Sequence, residues 1–242
     1  MKKAGAIVAH VLSELRSAVK PGVTTKELDQ IALSLTNKHK ARPAFLNYPS
    51  RDSGVKPFSG VICSSVNEEV VHGIPGDRVL VSGDIISIDY GCEFEGFFGD
   101  SAITVAVGEV SVEAKKLLKF TEESLYEAIK ACRPGNRIGD IGFAVQSYVE
   151  KEGLSVIRDF VGHGIGRDMH EEPAVPNYGS KGMGRVLKAG MVLAIEPMIS
   201  SGSYAVEVLS DGWTAVTKDR SNSAHFEHTV AITENGAIIL TQ

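Results

Sequence analysis

The sequence has few cysteines, no long apolar run and no excess of positive charge, and each absence excludes a class of protein. Its three cysteines, Cys63, Cys92 and Cys132, are too few and too scattered for a disulfide framework or a zinc ribbon. A reducing compartment, the cytoplasm, is therefore expected. No apolar run approaches the roughly 18 residues of a membrane span. A net charge of −5 argues against nucleic acid as a partner or substrate.

What is present is the composition of an ordinary globular protein, with 43% hydrophobic and 23% charged residues among 242. The amino terminus superficially resembles a signal peptide, because Met1-Lys2-Lys3 precedes an apolar stretch. The apolar positions keep helical spacing as far as Val19, however, so an amphipathic helix near 4–19 is predicted instead.

Helical patterns occur in two pairs, each with a proline-glycine stop between its members. The helix near 4–19 is followed by one that begins at Thr24, where Glu27 completes a capping-box pattern. A helix over about 112–131 is followed by one with apolar residues on a single face from 138 to 149. The order of elements therefore repeats.

Two further signals follow each helix pair. The tripeptide Val71-His72-Gly73 in the first half is echoed by Gly162-His163-Gly164 in the second. The run 83–89 is echoed by 190–196, and both runs are apolar, rich in β-branched residues and end in a carboxylate. Coincidence between ordinary strands is the alternative, but four matched features in one order favour an internal duplication.

These patterns predict an α+β fold made of two related α-α-β-β halves, about 1–108 and 109–242. We expect the halves to pack as a single domain over residues 1–242, with helices on one side of a largely antiparallel sheet.

Acidic residues occur in segments whose apolar pattern predicts buried strands. A buried carboxylate costs several kcal/mol unless it is paired or bound to metal. The segment between Asp89 and Asp100 looks like a hairpin with a tight turn near Phe94–Glu95. Such a turn places Asp89 directly opposite Asp100, with Cβ atoms about 5 Å apart, where like charges are destabilising. A cation between them resolves the conflict.

The second half supplies further candidate ligands. Glu196 ends a strand, Glu227 lies in another strand-like segment, and His163 is flanked by glycines that allow close approach. Taken singly, each has an ordinary reading as a turn or loop residue. Together with Asp89 and Asp100 they form an oxygen-rich set that suits two divalent ions such as Mn, Fe, Co or Zn. Such two-metal sites belong to hydrolases.

At these positions the chain resembles a known family, the type I methionine aminopeptidases, whose fold is a duplicated pita-bread fold. The similarity extends from residue 3 to residue 236. The motifs that carry it are 65–75 (SVNEEVVHGIP), Asp89 with Gly99-Asp100, 162–167 (GHGIGR), 170–173 (HEEP), 194–198 (AIEPM), 211–214 (DGWT) and 225–229 (HFEHT).

The resemblance implies roles for the metal-site residues. Asp89 is expected to chelate one ion, His163 with Glu196 the other, and Asp100 with Glu227 to bridge them. Glu196 is also expected to accept a proton.

It implies roles for substrate-binding residues as well. His170 is expected to polarise the scissile carbonyl, and His72 to contact the amino-terminal end of the substrate. The positions that resemble the lining of a methionine pocket are Phe58, Cys63, Met169 and Trp213. Ordinary loop or core roles are the alternative for each of these side chains.

The implied activity is metal-dependent removal of the initiator methionine from peptides and nascent chains, with a small second residue preferred. A cytoplasmic monomer is expected. Its expected partners are the amino termini of peptides and nascent chains and the ribosome, and not a membrane. Two departures stand out: the segment 48–58 is longer than in many bacterial relatives, and Met169 stands where an aromatic residue is common.

Two other interpretations remain. An X-Pro aminopeptidase-like or creatinase-like hydrolase shares the fold but usually carries an extra amino-terminal domain, for which 242 residues leave no room. A non-catalytic pita-bread binding protein is expected to have lost ligands, whereas all five are present.

Overall fold

The structure, a computed structural model, describes residues 1–50 and 52–242. Arg51, which belongs to the longer segment 48–58, lies outside the described residues. Among the helices of the described ranges, none combines the length and the apolar character needed to cross a lipid bilayer.

Four α-helices form the two predicted pairs. They are α1 Lys2–Ala18, α2 Thr25–Lys38, α3 Val112–Ala131 and α4 Ile138–Val149, with a short 3-10 helix at Glu150–Glu152. The predicted capping box at the start of α2 is confirmed, because the Thr24 side chain accepts the Glu27 N–H and Glu27 accepts the Thr24 N–H. Ser111 caps α3 through the N–H of Ala114.

Fifteen short strands complete the described chain. They are β1 Arg42–Pro43, β2 Cys63–Val66, β3 Glu69–Val71, β4 Ile85–Phe94, β5 Phe97–Ala106, β6 Ser155–Val156, β7 Gly162–Gly164, β8 Glu171–Val175, β9 Val192–Ile195, β10 Met198–Ser200, β11 Val206–Val208, β12 Ala215–Thr217, β13 Ser223–His225, β14 His228–Thr233 and β15 Gly236–Ile239.

All strand pairings are antiparallel, as predicted, but they are divided among four sheets instead of one. The first half centres on β4, which pairs with β1, β2 and β5. The second half centres on a five-stranded sheet in the order β15-β14-β9-β7-β8. Two three-stranded sheets, β13-β10-β6 and β11-β12-β3, complete the pairing; the second brings β3 of the first half beside β12.

Each helix pair covers its own half. Apolar side chains of α1 and α2, such as Val8 and Leu28, pack with Ile86 and Ile88 of β4. In the second half α3 and α4 pack in the same way against the five-stranded sheet and β13. Smaller apolar clusters contain residues of both halves, such as Phe58 with Met169 and Val71 with Met198. The order of a helix pair followed by strands recurs, as the predicted duplication implies.

The hairpin of β4 and β5 differs from the prediction in its register. The strands pair Phe94 with Phe97, so the turn residues are Glu95 and Gly96 and not Phe94 and Glu95. The shift arises because Glu95 and Gly96 both take positive φ, the conformation that two-residue hairpin turns favour. The predicted direct pairing of Asp89 with Asp100 is therefore wrong.

Candidate metal centre

Asp89 and Asp100 nevertheless lie on the same face of the hairpin. Asp100 is the cross-strand partner of Gly91, and Asp89 is the partner of Ala102, which makes the two acids diagonal neighbours. Gly91 leaves room for the acid opposite it, since a Cβ there would stand 3.0 Å from Asp100 Oδ1. The hairpin thus presents two carboxylates together.

Backbone hydrogen bonds connect Glu227 to the same hairpin. The N–H of Glu227 donates to Ala102 O at 2.9 Å, and the N–H of Ala102 donates to Glu227 O at 3.4 Å. Two residues on, the Thr229 hydroxyl donates to Asp100 O at 2.7 Å and accepts the Asp100 N–H at 3.0 Å. These hydrogen bonds connect the first and second halves of the chain next to the carboxylates of Asp100 and Glu227.

His163 and Glu196 come from the central strands of the five-stranded sheet. His163 on β7 pairs with Ala194 on β9, two residues before Glu196. Gly162 allows this close pairing, because a Cβ there would stand 2.3 Å from Ala194 O. The strands therefore direct the imidazole and the carboxylate to the same point.

The tautomer of His163 is set by a backbone carbonyl of its own strand, β7. Nδ1 lies 2.8 Å from Gly164 O, and since a carbonyl can only accept, Nδ1 carries the proton. The lone pair of Nε2 then faces Glu196 Oε1 at 3.6 Å and Asp100 Oδ2 at 3.9 Å. Burial lowers the pKa of His163, which keeps the ring neutral. An acceptor nitrogen that faces two carboxylates calls for a cation between them.

The pKa values of the four carboxyl groups also indicate that a cation belongs at this site. Burial raises the pKa of Asp100 to about 7. Burial, with the neighbouring carboxylates adding to it, also raises the pKa of Asp89, Glu196 and Glu227 well above the ordinary value. Without a compensating positive charge the cluster must hold protons at neutral pH.

The residues present fit a divalent ion. In the described part of the chain, buried side-chain atoms without a hydrogen-bond partner include Asp89 Oδ1, Asp100 Oδ1 and Glu227 Oε1. One ligand atom each from Asp100, His163 and Glu227 lie within 4.8 Å of one another. Asp89 adjoins this group through its side-chain contact with Asp100. Carboxylate oxygens with an imidazole suit Mn, Fe, Co or Zn.

A cavity of about 740 Å³ opens above the acids. Its lining includes Asp89, Asp100, His163, Glu196 and Glu227 together with the other predicted site residues His72, His170, Phe58, Cys63 and Trp213. The structure therefore gathers ten of the eleven residues that the sequence predicted. The remaining one, Met169, is buried in the apolar cluster that contains Phe58 and Cys63, but it does not line this cavity.

Two further histidines, His72 and His170, line the cavity. The ring of His170 lies 4.4 Å from that of His163, measured between ring centroids. His72 has a left-handed backbone with a φ of 61°, and its ring meets Phe160 and Trp213 edge-on at 5.5 and 6.3 Å. Burial lowers the pKa of His72 to about 4, so the ring is neutral at neutral pH.

Described residues of the segment 48–58, Tyr48, Pro49, Ser50, Asp52 and Phe58, line the cavity. At one end the Tyr48 hydroxyl lies 2.8 Å from His170 Nδ1. At the other end Trp213 Nε1 donates to Lys56 O at 2.9 Å, and the Trp213 ring meets Phe58 at 5.3 Å. Residues of this segment thus contact both His170 and Trp213.

Sequence reasoning assigned no role to His225, which the structure places beneath the acids. Its Nε2 lies 3.7 Å from Glu196 Oε2 and 3.9 Å from Glu227 Oε2. The available signal was its spacing: residues two apart on an extended strand face the same side, so His225 accompanies Glu227. Its neighbour Phe226 packs instead into the core of the second half.

Comparisons with known proteins agree with this geometry. The family model of metallopeptidase family M24 matches residues 1–234. Methionine aminopeptidase 1 of Bacillus subtilis is 54% identical over 242 residues, which is 100% of this chain and 95% of the relative.

Solved structures extend the comparison. The structure of the methionine aminopeptidase of Thermotoga maritima superposes with a TM-score of 0.96 at 49% sequence identity. The match covers 100% of this chain and 95% of the Thermotoga chain. The prolidase of Pyrococcus horikoshii has a TM-score of 0.79 at 20% identity over 100% of this chain and 60% of its own, a likeness of fold alone.

Proposed function

The chain belongs to the methionine aminopeptidases of metallopeptidase family M24, and we propose that it removes amino-terminal methionine from peptides and nascent proteins with a small second residue. One observation carries the proposal. The Nε2 lone pair of a neutral His163 faces Glu196 and Asp100 at the floor of a substrate-sized cavity, where a cation is required.

Two divalent ions of the Mn, Fe, Co or Zn kind fit this centre in our proposal. Asp89 would hold one ion, His163 with Glu196 would hold the other, and Asp100 with Glu227 would contact both. Ions of this type supply Lewis acidity that polarises a carbonyl and activates water as a nucleophile. Glu196, which lines the cavity, is the proposed acceptor of the water proton.

The histidines orient the substrate. His72 is neutral because burial lowers its pKa to about 4, so it can exchange a hydrogen bond with the amino-terminal end without adding positive charge. His170 stands beside His163, where it can donate a hydrogen bond to the scissile carbonyl. Tyr48 contacts the other ring nitrogen of His170 and fixes the ring orientation.

The apolar part of the cavity accounts for the choice of methionine. Phe58, Cys63 and Trp213 line it, with Met169 packed in the same cluster. Burial and the nearby carboxylates raise the pKa of the Cys63 thiol, so this wall stays uncharged. A charged first side chain would be buried there without a partner, at a cost of several kcal/mol.

The setting proposed for this activity is the cytoplasm, where nascent chains carry their initiator methionine. We propose that the protein acts there as a monomer and as one domain made of the halves 1–108 and 109–242. Contact with the ribosome would bring it to its substrate.

A peptide panel tests the proposal. The metal-loaded protein is expected to release methionine from Met-Ala-Ser, to act slowly on Met-Leu-Ser, and to leave Lys-Ala-Ser and X-Pro peptides intact. Comparable kcat/KM for Met-Ala-Ser and Lys-Ala-Ser would refute the methionine specificity. Preferential cleavage of X-Pro bonds would favour a prolidase-like enzyme instead.

A further inference from the structure

His225 is a buried histidine beside the carboxylates, and it is not one of the five proposed metal ligands. Only 2% of its side chain is exposed, and its Nε2 has no hydrogen-bond partner among the described residues. A buried polar atom without a partner costs about 1–3 kcal/mol. Its position beside Glu196 and Glu227 therefore needs a physical account.

The backbone of His225 is held in place independently of its ring. Its N–H donates to Thr104 Oγ1 at 2.9 Å, and the Thr104 hydroxyl donates to His225 O at 2.8 Å. Met198 on β10 is its Cα partner across the sheet. The backbone of His225 is thus fixed between β5 and β10, and its buried side chain has no access to solvent for a partner.

Glu196 has an imidazole at each of its two oxygens. Oε1 faces His163 Nε2 at 3.6 Å, and Oε2 faces His225 Nε2 at 3.7 Å. The Nδ1 proton of His163 is committed to Gly164 O, so Nε2 of His163 presents a lone pair toward the metal centre. The second oxygen of Glu196 then needs a donor, and His225 is the group that faces it.

We propose that His225 is a positioning residue that donates from Nε2–H to Glu196 Oε2, with Glu227 Oε2 as a nearby second acceptor. Carboxylates that hold metal are commonly anchored by such donors. A shift of about 0.7 Å shortens the contact to hydrogen-bond length, and hydrogen bonds at catalytic groups commonly shorten when the full complex forms. The bond would direct Oε1 toward His163 and the ion.

A direct ligand role for His225 is the competing arrangement, and substitution separates the two. Glutamine carries an N–H donor at a reach similar to imidazole Nε2, but its amide is a poor ligand for these ions. His225→Gln is therefore the rescue variant and His225→Leu the disabling one. His228→Leu is the matched control, because His228 also adjoins Glu227 in sequence but its Nδ1 contacts Thr241.

The first measurement is Mn²⁺ affinity, obtained by titrating chelator-stripped protein and following heat release. His225→Leu is expected to bind Mn²⁺ about 10- to 100-fold more weakly, and His225→Gln within about threefold of wild type. His228→Leu is expected to match wild type. Melting of each metal-free variant shows whether the fold is retained.

The second measurement needs no substitution and keeps the inference testable even if His225→Leu does not fold. Nitrogen-15 NMR of the histidine rings in the Zn²⁺-loaded protein reports which ring nitrogens carry protons. A protonated Nε2 on His225 is expected, and a metal-bound Nε2 would overturn the inference. Equal loss of affinity in His225→Gln and His225→Leu, or none in either, would overturn it too.

The inference rests on the proposed metal centre, and the two can fail separately. If wild-type protein binds no divalent ion, the proposed function itself fails. If wild type binds Mn²⁺ and releases methionine while His225→Leu binds Mn²⁺ with unchanged affinity, only the role of His225 fails.

Discussion

Asp89 and Asp100 are diagonal neighbours on one face of a β-hairpin, because Asp100 pairs with Gly91 while Asp89 pairs with Ala102. The glycine opposite Asp100 leaves space in front of both carboxylates. The arrangement is unfavourable for the bare acids and favourable for acids that share a cation, so the stability of this protein should depend on metal and on pH together.

The pH dependence follows from the raised carboxyl pKa values. A group whose folded pKa is raised stabilises the fold fully below its unfolded pKa, and that contribution is lost as pH rises through the folded pKa. For Asp100 the loss falls around pH 7. Metal-free protein should therefore melt at lower temperature as pH rises from about 6.5 to 8.5, while the stabilisation by Mn²⁺ grows.

Between about pH 6.5 and 8.5 the buried histidines do not change the stability in the opposite direction. Burial lowers the pKa of His72 to about 4 and of His225 to about 3, so both cost stability only as pH falls below their ordinary value of 6.5. Scanning calorimetry with and without Mn²⁺ makes the measurement. An increment from Mn²⁺ that stays constant across the window would contradict the shared-cation account.

Glu196→Gln tests the proposed proton acceptor. The substitution removes a buried ionisable carboxyl group but keeps the side-chain volume, so the metal-free protein should melt no lower than wild type. Loss of a general base and a ligand should lower kcat by about 100-fold or more. Steady-state release of methionine from Met-Ala-Ser gives the rate, and retention of more than about a tenth of it would show the assignment to be wrong.

Gly162→Ala tests how closely β7 must approach β9. An added Cβ would stand 2.3 Å from Ala194 O, so the strands must separate and His163 must move away from Glu196. Overpacking of this kind costs about 1–3 kcal/mol, and metal affinity should fall with it.

Gly76→Ala is the matched control for that variant. The nearest atom to a Cβ at Gly76 is 4.0 Å away, so stability and Mn²⁺ affinity should stay at wild-type values. Urea unfolding and Mn²⁺ titration of both variants provide the comparison. Equal behaviour of the two would mean that the strand spacing at His163 is unimportant.

Trp213 tests the wall of the methionine pocket. Its ring contacts Phe58, and its Nε1 donates to Lys56 O in the longer segment. Trp213→Ala removes both contacts and should raise KM for Met-Ala-Ser about tenfold or more. Trp213→Phe keeps a ring and loses the hydrogen bond, so its KM should rise less. If both variants have wild-type kinetics, the ring does not form part of the pocket.

The sequence predicted the fold well where local signals were strong. The bounds of α3 and the capping box of α2 were readable because propensity, caps and apolar periodicity agree there. The register of the β4–β5 hairpin was not readable from the sequence. Its turn requires positive φ at both Glu95 and Gly96, and a glutamate does not indicate positive φ.

The site shows a similar division. Acids in or beside apolar strands are visible in a sequence because they contradict the pattern around them, and the structure gathers all four around one cavity. His225 was missed because a histidine beside Phe226 contradicts no pattern. Its importance depends on the strand pairings that hold it beneath Glu196, which are contacts between distant parts of the chain. The roles of these residues remain predictions.

The central claim is that ions held by Asp89, Asp100, His163, Glu196 and Glu227 enable methionine release. The most direct measurement adds Mn²⁺ stepwise to exhaustively chelated protein and records both the ions bound per chain and the rate of methionine release from Met-Ala-Ser. We predict no release from the metal-free protein and a rate that rises with ion binding. Full activity in the metal-free protein would contradict the account.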